Sequence, residues 1–138
     1  MDTSNVYVQK DLSCDTFQNQ VDEALIRHKS ILDVMTKLDE YNSRINRAVA
    51  KSVTSCGCIK INATKQDFNK DSLEEIKNSM KDHIDGNLCT VCQEILQEEM
   101  GAYLFYLAAL CNALNMSLSD TIIKEYSNIK ALGVFSLK

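Results

Sequence analysis

Between Asp15 and Ser52 apolar side chains return at positions such as Phe17, Val21, Leu25, Ile31, Met35, Leu38, Ile45 and Val49. Steps of three, four and seven residues put them on one face of an α-helix. No Gly or Pro interrupts the stretch. It reads as one very long helix, or as two with a break near Asp39–Ser43, where Tyr41-Asn42-Ser43 is weak in helix propensity. Asp15 or Thr16 is the expected N-cap. Cys56-Gly57-Cys58 ends the helical run, and Ile59 to Ala63 alternates apolar with polar positions. Ser72-Leu73-Glu74-Glu75 has the form of a capping box. It opens a short helix with Leu73, Ile76 and Met80 inward and Gly86 past its end.

Cys89-Thr90-Val91-Cys92 opens a further helix running to about Asn115. Its second half, Tyr103 to Cys111, is apolar almost all round, the pattern of a helix covered on every side. That makes it the central helix, or one shared between the core and an oligomer interface. Tyr103, Phe105 and Tyr106 belong to this run, and at helical spacing they read as core or interface rather than as a base-stacking platform. Ser117 with Asp120 marks another cap. Ile122, Ile123, Tyr126 and Ile129 form the stripe expected to be buried on a last helix, which Gly133 stops. The pattern predicts an all-α antiparallel helical bundle, a single domain over 1–138. Residues 1–14 carry no helical period and read as an N-terminal arm, either extended at Val6-Tyr7-Val8 or a loosely docked tail.

Composition sharpens this picture. The 138 residues hold no Pro and four Gly, where about seven and ten are usual. An all-β fold, which needs many tight turns, is therefore excluded. Lys and Arg number 15 against 19 Asp and Glu, a net charge of −4. That argues against nucleic acid or an anionic membrane as a partner. Ala102 to Cys111 is the longest apolar run, about half of the roughly 20 residues that cross a bilayer. The first ten residues lack the apolar stretch of a secretory leader. The expectation is a cytoplasmic protein with reduced thiols.

Four of the six cysteines fall in two close pairs, Cys56-x-Cys58 and Cys89-x-x-Cys92. Zinc prefers four tetrahedral ligands, and thiolates are among its best. The pairs flank the 56–92 connection between the long helices. Antiparallel packing of those helices gathers four sulfurs, and a structural Zn²⁺ then clips the connection. His83 is a second-choice ligand. A redox use of Cys89-x-x-Cys92 lacks its usual βαβ setting. Cys111 reads as core, Cys14 as uninvolved, and His28 as a packed histidine on the apolar face.

Glu98-Glu99-Met100-Gly101-Ala102-Tyr103-Leu104-Phe105-Tyr106-Leu107-Ala108-Ala109-Leu110, followed by Asn112-Ala113-Leu114-Asn115-Met116, resembles the third core helix of MazG-like proteins, members of the all-α nucleoside triphosphate pyrophosphohydrolase superfamily. Ser119 to Lys130 is similar to that family's last helix. The resemblance covers about the last forty residues. It implies a helical fold that assembles as a homodimer or higher oligomer, and a Mg²⁺ site that splits nucleoside triphosphates into monophosphate and pyrophosphate. The family holds its Mg²⁺ with E-x-x-E on one helix and E-x-x-D on the next. Here Glu99 matches the first acid of the second pair, and Ala102 stands in place of its Asp. On the earlier helix Glu40 matches, with Arg44 near where a second acid belongs. No E-x-x-E occurs from Asp15 to Ser52.

Two acids of four are thus missing, and a cation beside the site repels Mg²⁺. The leading expectation is a zinc-clipped, MazG-like binding or regulatory module without the Mg²⁺-dependent site. One alternative is an active pyrophosphohydrolase rearranged around Glu40, Glu94, Glu98 and Glu99. Another is a zinc-dependent contact for nucleic acid or protein through Arg44, Arg47, Lys51 and Lys60. Arg44, Arg47 and Lys51 form a stripe that reads either as a solvated helix face or as a holder of a nucleotide's phosphates.

Overall fold

The computed structural model describes residues 12–138; Val6-Tyr7-Val8 and most of the expected arm lie outside the described residues. Five α-helices are described: α1 (Cys14–Ala24), α2 (Ile31–Lys51), α3 (Leu73–Ser79), α4 (Thr90–Ala113) and α5 (Leu118–Leu132). A π-helical turn at Ser52–Cys56, two three-residue strands, β1 (Ile59–Ile61) and β2 (Ile84–Gly86), and a 3-10 turn at Gly133–Ser136 complete the set among the described residues.

The amphipathic stretch is two helices, and the break falls between Ala24 and Ile31 rather than near Asp39–Ser43. Tyr41-Asn42-Ser43 stays helical because α2 lies along α4, where the Tyr41 ring stacks on Tyr106 at 5.7 Å between centroids. Tertiary packing here overrides weak propensity. Ser13, not Asp15 or Thr16, caps α1: its hydroxyl accepts from the Thr16 N–H at 3.1 Å. Cys14 is therefore the first helical residue rather than the end of the arm. His28 sits in the break, off any helix face, with Nδ1 3.8 Å from Asp33 and its ring edge-on to Tyr106.

Helices α2 and α4 run antiparallel. Tyr41 meets Tyr106, Arg44 meets Glu99, and beyond the end of α2 Cys56 meets Cys89. The core lies at the end of this pair far from Cys56 and Cys89. It joins Val21 of α1, Val34 of α2, Ala108, Ala109 and Cys111 of α4, and Leu118 of α5. The two alanines let three helix backbones approach closely. Gln18 ties α1 to the α4–α5 turn. Its amide donates to Asn112 Oδ1 and to the Met116 carbonyl, both at 2.8 Å, and its Oε1 accepts from the Leu118 N–H at 2.8 Å. A buried amide with all these partners is satisfied, so its burial carries little penalty.

Helix α5 departs from α4 at 105°. Only Leu118 reaches the core. Ile122, Ile123, Tyr126 and Ile129, expected to be buried, are 47–63% exposed because the bend carries the rest of α5 away from α1, α2 and α4. No single helix among the described residues is long and apolar enough to cross a membrane.

In the connection, β1 and β2 pair antiparallel with Ile59 opposite Gly86 and Ile61 opposite Ile84. Gly86 is thus a ribbon residue and not the end of α3, which stops at Ser79 as Met80 turns extended. The Ser72 cap is as expected: its hydroxyl accepts from the Glu75 N–H at 3.2 Å.

Candidate metal centre and adjoining groove

The sulfurs of Cys56, Cys58, Cys89 and Cys92 all lie within 4.8 Å of one another. Cys56 Sγ and Cys89 Sγ are 3.7 Å apart. A tetrahedron with Zn–S bonds of 2.3 Å has edges of about 3.8 Å. The Cys56–Cys89 separation matches that edge, the 4.8 Å limit leaves the four sulfurs near it, and all six cysteines are free thiols.

Local chain geometry explains how the sulfurs gather. Past Lys51 the helix widens into a π-turn, Ser52–Cys56, which closes when the Gly57 N–H donates to the Ser52 carbonyl at 2.9 Å. Gly57 then turns left-handed at φ 77°, a region that favours glycine. The turn presents Cys56 and Cys58 on one side, and Cys58 Sγ lies 3.7 Å from the same Ser52 carbonyl. Ser52 is buried, and its hydroxyl donates to the Ala48 carbonyl at 3.0 Å. The β-ribbon starts directly after Cys58 and returns to Gly86, three residues before Cys89.

Cys89 is the N-cap of α4, its sulfur accepting from the Cys92 N–H at 3.4 Å. That N–H bond, aided by the neighbouring thiols, lowers the Cys89 pKa to about 7. The Ser52 hydroxyl pulls Cys92 down, yet Cys89, burial and the other two sulfurs together push it up to about 12. One thiolate beside protonated partners is what a cluster of four sulfurs becomes when no cation balances it. A divalent ion reverses this, because it stabilises each thiolate. The donor set and its spacing fit Zn²⁺. His83 does not join the cluster. It precedes β2 at the far end of the ribbon, where its Nε2 accepts from the Thr64 N–H at 3.4 Å.

One turn back along α2 a groove of about 510 Å³ opens between α2 and α4. Glu40, Ser43, Arg44, Arg47, Ala48 and Lys51 line one wall, and Ile95 and Glu99 the other. Glu40 and Glu99 line opposite walls, and Arg44 lies between them. Its Nε donates to Glu99 Oε2 at 2.9 Å, and its Nη1 is 3.7 Å from Glu40 Oε1. Lys37 holds the other Glu40 oxygen at 2.9 Å. That hydrogen bond, helped by the Lys37 and Arg44 charges, keeps the Glu40 carboxyl below its ordinary range. The Glu99 contact raises the Arg44 pKa further above its already high value. Both carboxylates are thus committed to cations.

Glu94 and Glu98 are exposed on α4 and do not line the groove. Each is one residue, about 100° of helix turn, from Ile95 or Glu99, which do. Among the described residues Arg47 and Lys51 make no ion pair. Ser52 and Gln18 position the site and core without a sequence signal of their own, and Gly86, expected as a helix stop, is a ribbon residue beside the site. Ser52 lies four residues before Cys56 and Gly86 three before Cys89, so proximity to the cysteine pairs was the one local signal of their place here. No family model, curated protein or solved structure matches this chain.

Proposed function

We propose that this chain is a zinc-clipped helical module of the MazG-like type that binds a phosphate-bearing ligand, such as a nucleotide, without hydrolysing it. The observation that carries the reading is Arg44 held between Glu40 and Glu99. Mg²⁺ needs carboxylate oxygens around an open position. Here a guanidinium takes that position and a methyl group, Ala102, stands where a further carboxylate would be. Arg47, Lys51 and Ser43 leave the same groove with cationic and hydroxyl donors for an anion. A phosphate bound there is neutralised by side chains in place of Mg²⁺.

Zinc in this reading is structural. Cys56, Cys58, Cys89 and Cys92 use all four coordination positions, so no position remains for water or substrate. The ion fixes where α2 ends against where α4 begins and thereby sets the width of the groove. The protein acts as a binding or regulatory unit and assembles with itself as a homodimer.

The test is a screen of nucleoside triphosphates with Mg²⁺ and Mn²⁺, paired with calorimetric titration of the same nucleotides in Mg²⁺-free buffer. The reading expects binding that weakens with salt and with Arg47→Ala or Lys51→Ala, and no turnover. Turnover at about 1 s⁻¹ or faster, lost in Glu99→Gln, would instead establish the hydrolase alternative.

A further inference from the structure

Of the four sulfur-bearing residues at the metal centre, Cys56 is set apart by access. It is exposed, whereas Cys58, Cys89 and Cys92 are half-buried. Cys58 turns back toward the π-turn, its sulfur 3.7 Å from the carbonyl of the buried Ser52. Cys89 and Cys92 lie against the first turn of α4, where the Cys89 sulfur accepts from the Cys92 N–H at 3.4 Å. Cys56, the last residue of the π-turn, lacks such cover.

Access matters because of what zinc does to a thiol. A zinc-bound sulfur is a thiolate, and the thiolate is the form that attacks an electrophile. A structural zinc with four thiolates therefore holds nucleophiles that need no further deprotonation. A small oxidant in water meets the exposed one first.

A reversible response also needs a second thiol within reach of the first. Cys89 Sγ lies 3.7 Å from Cys56 Sγ and 33 positions away in the chain. A bond between these two joins the turn after α2 to the start of α4, the same elements that the ion joins. The competing pair, Cys89 with Cys92, is local to α4 and begins from a half-buried residue.

We infer that Cys56 is a peroxide-reactive cysteine with Cys89 as its resolving partner, so that oxidation exchanges the zinc clip for a Cys56–Cys89 disulfide. The Cys56 thiolate attacks one oxygen of hydrogen peroxide. The O–O bond breaks, Cys56 becomes a sulfenic acid, and the departing hydroxide takes a proton to form water. The Cys89 thiolate then attacks the Cys56 sulfur. The S–S bond forms, the S–O bond breaks, and the second hydroxide takes a proton. Two thiolates, one peroxide and two protons thus become one disulfide and two waters, with the peroxide reduced by the two electrons that the sulfurs lose. Neither sulfur of a disulfide is a thiolate, the form that ligates metal. The ion is left with Cys58 and Cys92 alone and departs. Lys51 of the groove directly precedes the π-turn, so release of the ion reaches the wall offered to an anion. This inference rests on the zinc reading and not on whether the groove hydrolyses its ligand.

The test treats the full, zinc-loaded chain with hydrogen peroxide after its zinc has been measured by elemental analysis. Zinc release is followed with a chromogenic indicator, and the linkage by non-reducing lysine-specific digestion and tandem mass spectrometry. Loss of about one zinc and about two thiols per chain is expected. Peptide 52–60 should appear joined to the peptide bearing Cys89, with fragmentation placing the bond at Cys56 and Cys89. A brief peroxide pulse with dimedone should label Cys56 before any other cysteine, and dithiothreitol with fresh zinc should reload the centre. First labelling at Cys89 or Cys92, a Cys89–Cys92 bond, a bond between two chains, or zinc retained while thiols oxidise would each overturn the inference. So would zinc loss through sulfinic acids that dithiothreitol does not reverse. A chain that carries no zinc before treatment would instead remove the metal reading itself, and the exchange with it.

Discussion

Arg44 of α2 and Glu99 of α4 meet at 2.9 Å, with Glu40 on the other side of the guanidinium. Two carboxylates that point into one groove repel each other unless a cation lies between them. In this chain the cation is covalently part of the protein. Removing it and rebuilding the acids therefore opens the groove to a metal. Ser43→Glu, Arg44→Ala and Ala102→Asp together create E-x-x-E from Glu40 and E-x-x-D from Glu99. The triple variant is expected to bind Mn²⁺ by calorimetry, with Arg44→Ala alone intermediate.

The cysteine cluster predicts one equivalent of zinc per chain by elemental analysis, and tetrahedral thiolate absorption after cobalt exchange. Cys56→Ser or Cys89→Ser should lower retention in chelator. Without metal, Cys92 and Cys56 already hold their protons at neutral pH and Cys89 joins them below about 7, so metal affinity falls with pH across the neutral range and more steeply below about 7. Chelation should release the ribbon and the π-turn while the distal core, built on Val34 and Ala108, keeps its helices.

Gly86 is the backbone position the centre depends on most. A Cβ there would lie 2.6 Å from the Cys58 carbonyl oxygen, and its φ is 90°. Gly57 also has positive φ but open space around it. Gly57→Ala pays only the left-handed penalty, about 1 kcal/mol. Gly86→Ala adds a clash with the metal loop and should cost about 2–3 kcal/mol. In chelator competition Gly86→Ala is therefore expected to lose metal first; equal retention in the two variants would contradict this geometry.

Gln18→Leu keeps side-chain size but strips partners from Asn112, the Met116 carbonyl and the Leu118 N–H. Buried groups left unpaired cost about 1–3 kcal/mol each, reduced where water can reach. Urea denaturation should show a loss of about 2–4 kcal/mol with zinc content unchanged, since Gln18 lies at the opposite end of the bundle.

How much of this was legible in the sequence depends on how local the cause is. The Ser72 and Ser117 caps and the four-cysteine set were readable because capping and ligand pairing act over three or four residues. The helix break was misplaced because Tyr41 is held helical by Tyr106, 65 residues away in the chain. Gly86 looked like a helix stop because its real partner, Ile59, lies on the other strand. On α5 the period correctly marked an apolar face, but a period does not say what covers it. Arg44 was placed near the acids by resemblance, and its contact with Glu99 needed the α2–α4 register.

The most direct measurement is the electron paramagnetic resonance spectrum of Mn²⁺ titrated into the zinc-loaded wild-type protein, with no nucleotide present. With Arg44 filling the position between Glu40 and Glu99, the manganese is expected to remain in its hexaaquo form at millimolar protein. A bound-manganese signal that disappears in Glu99→Gln would contradict the account.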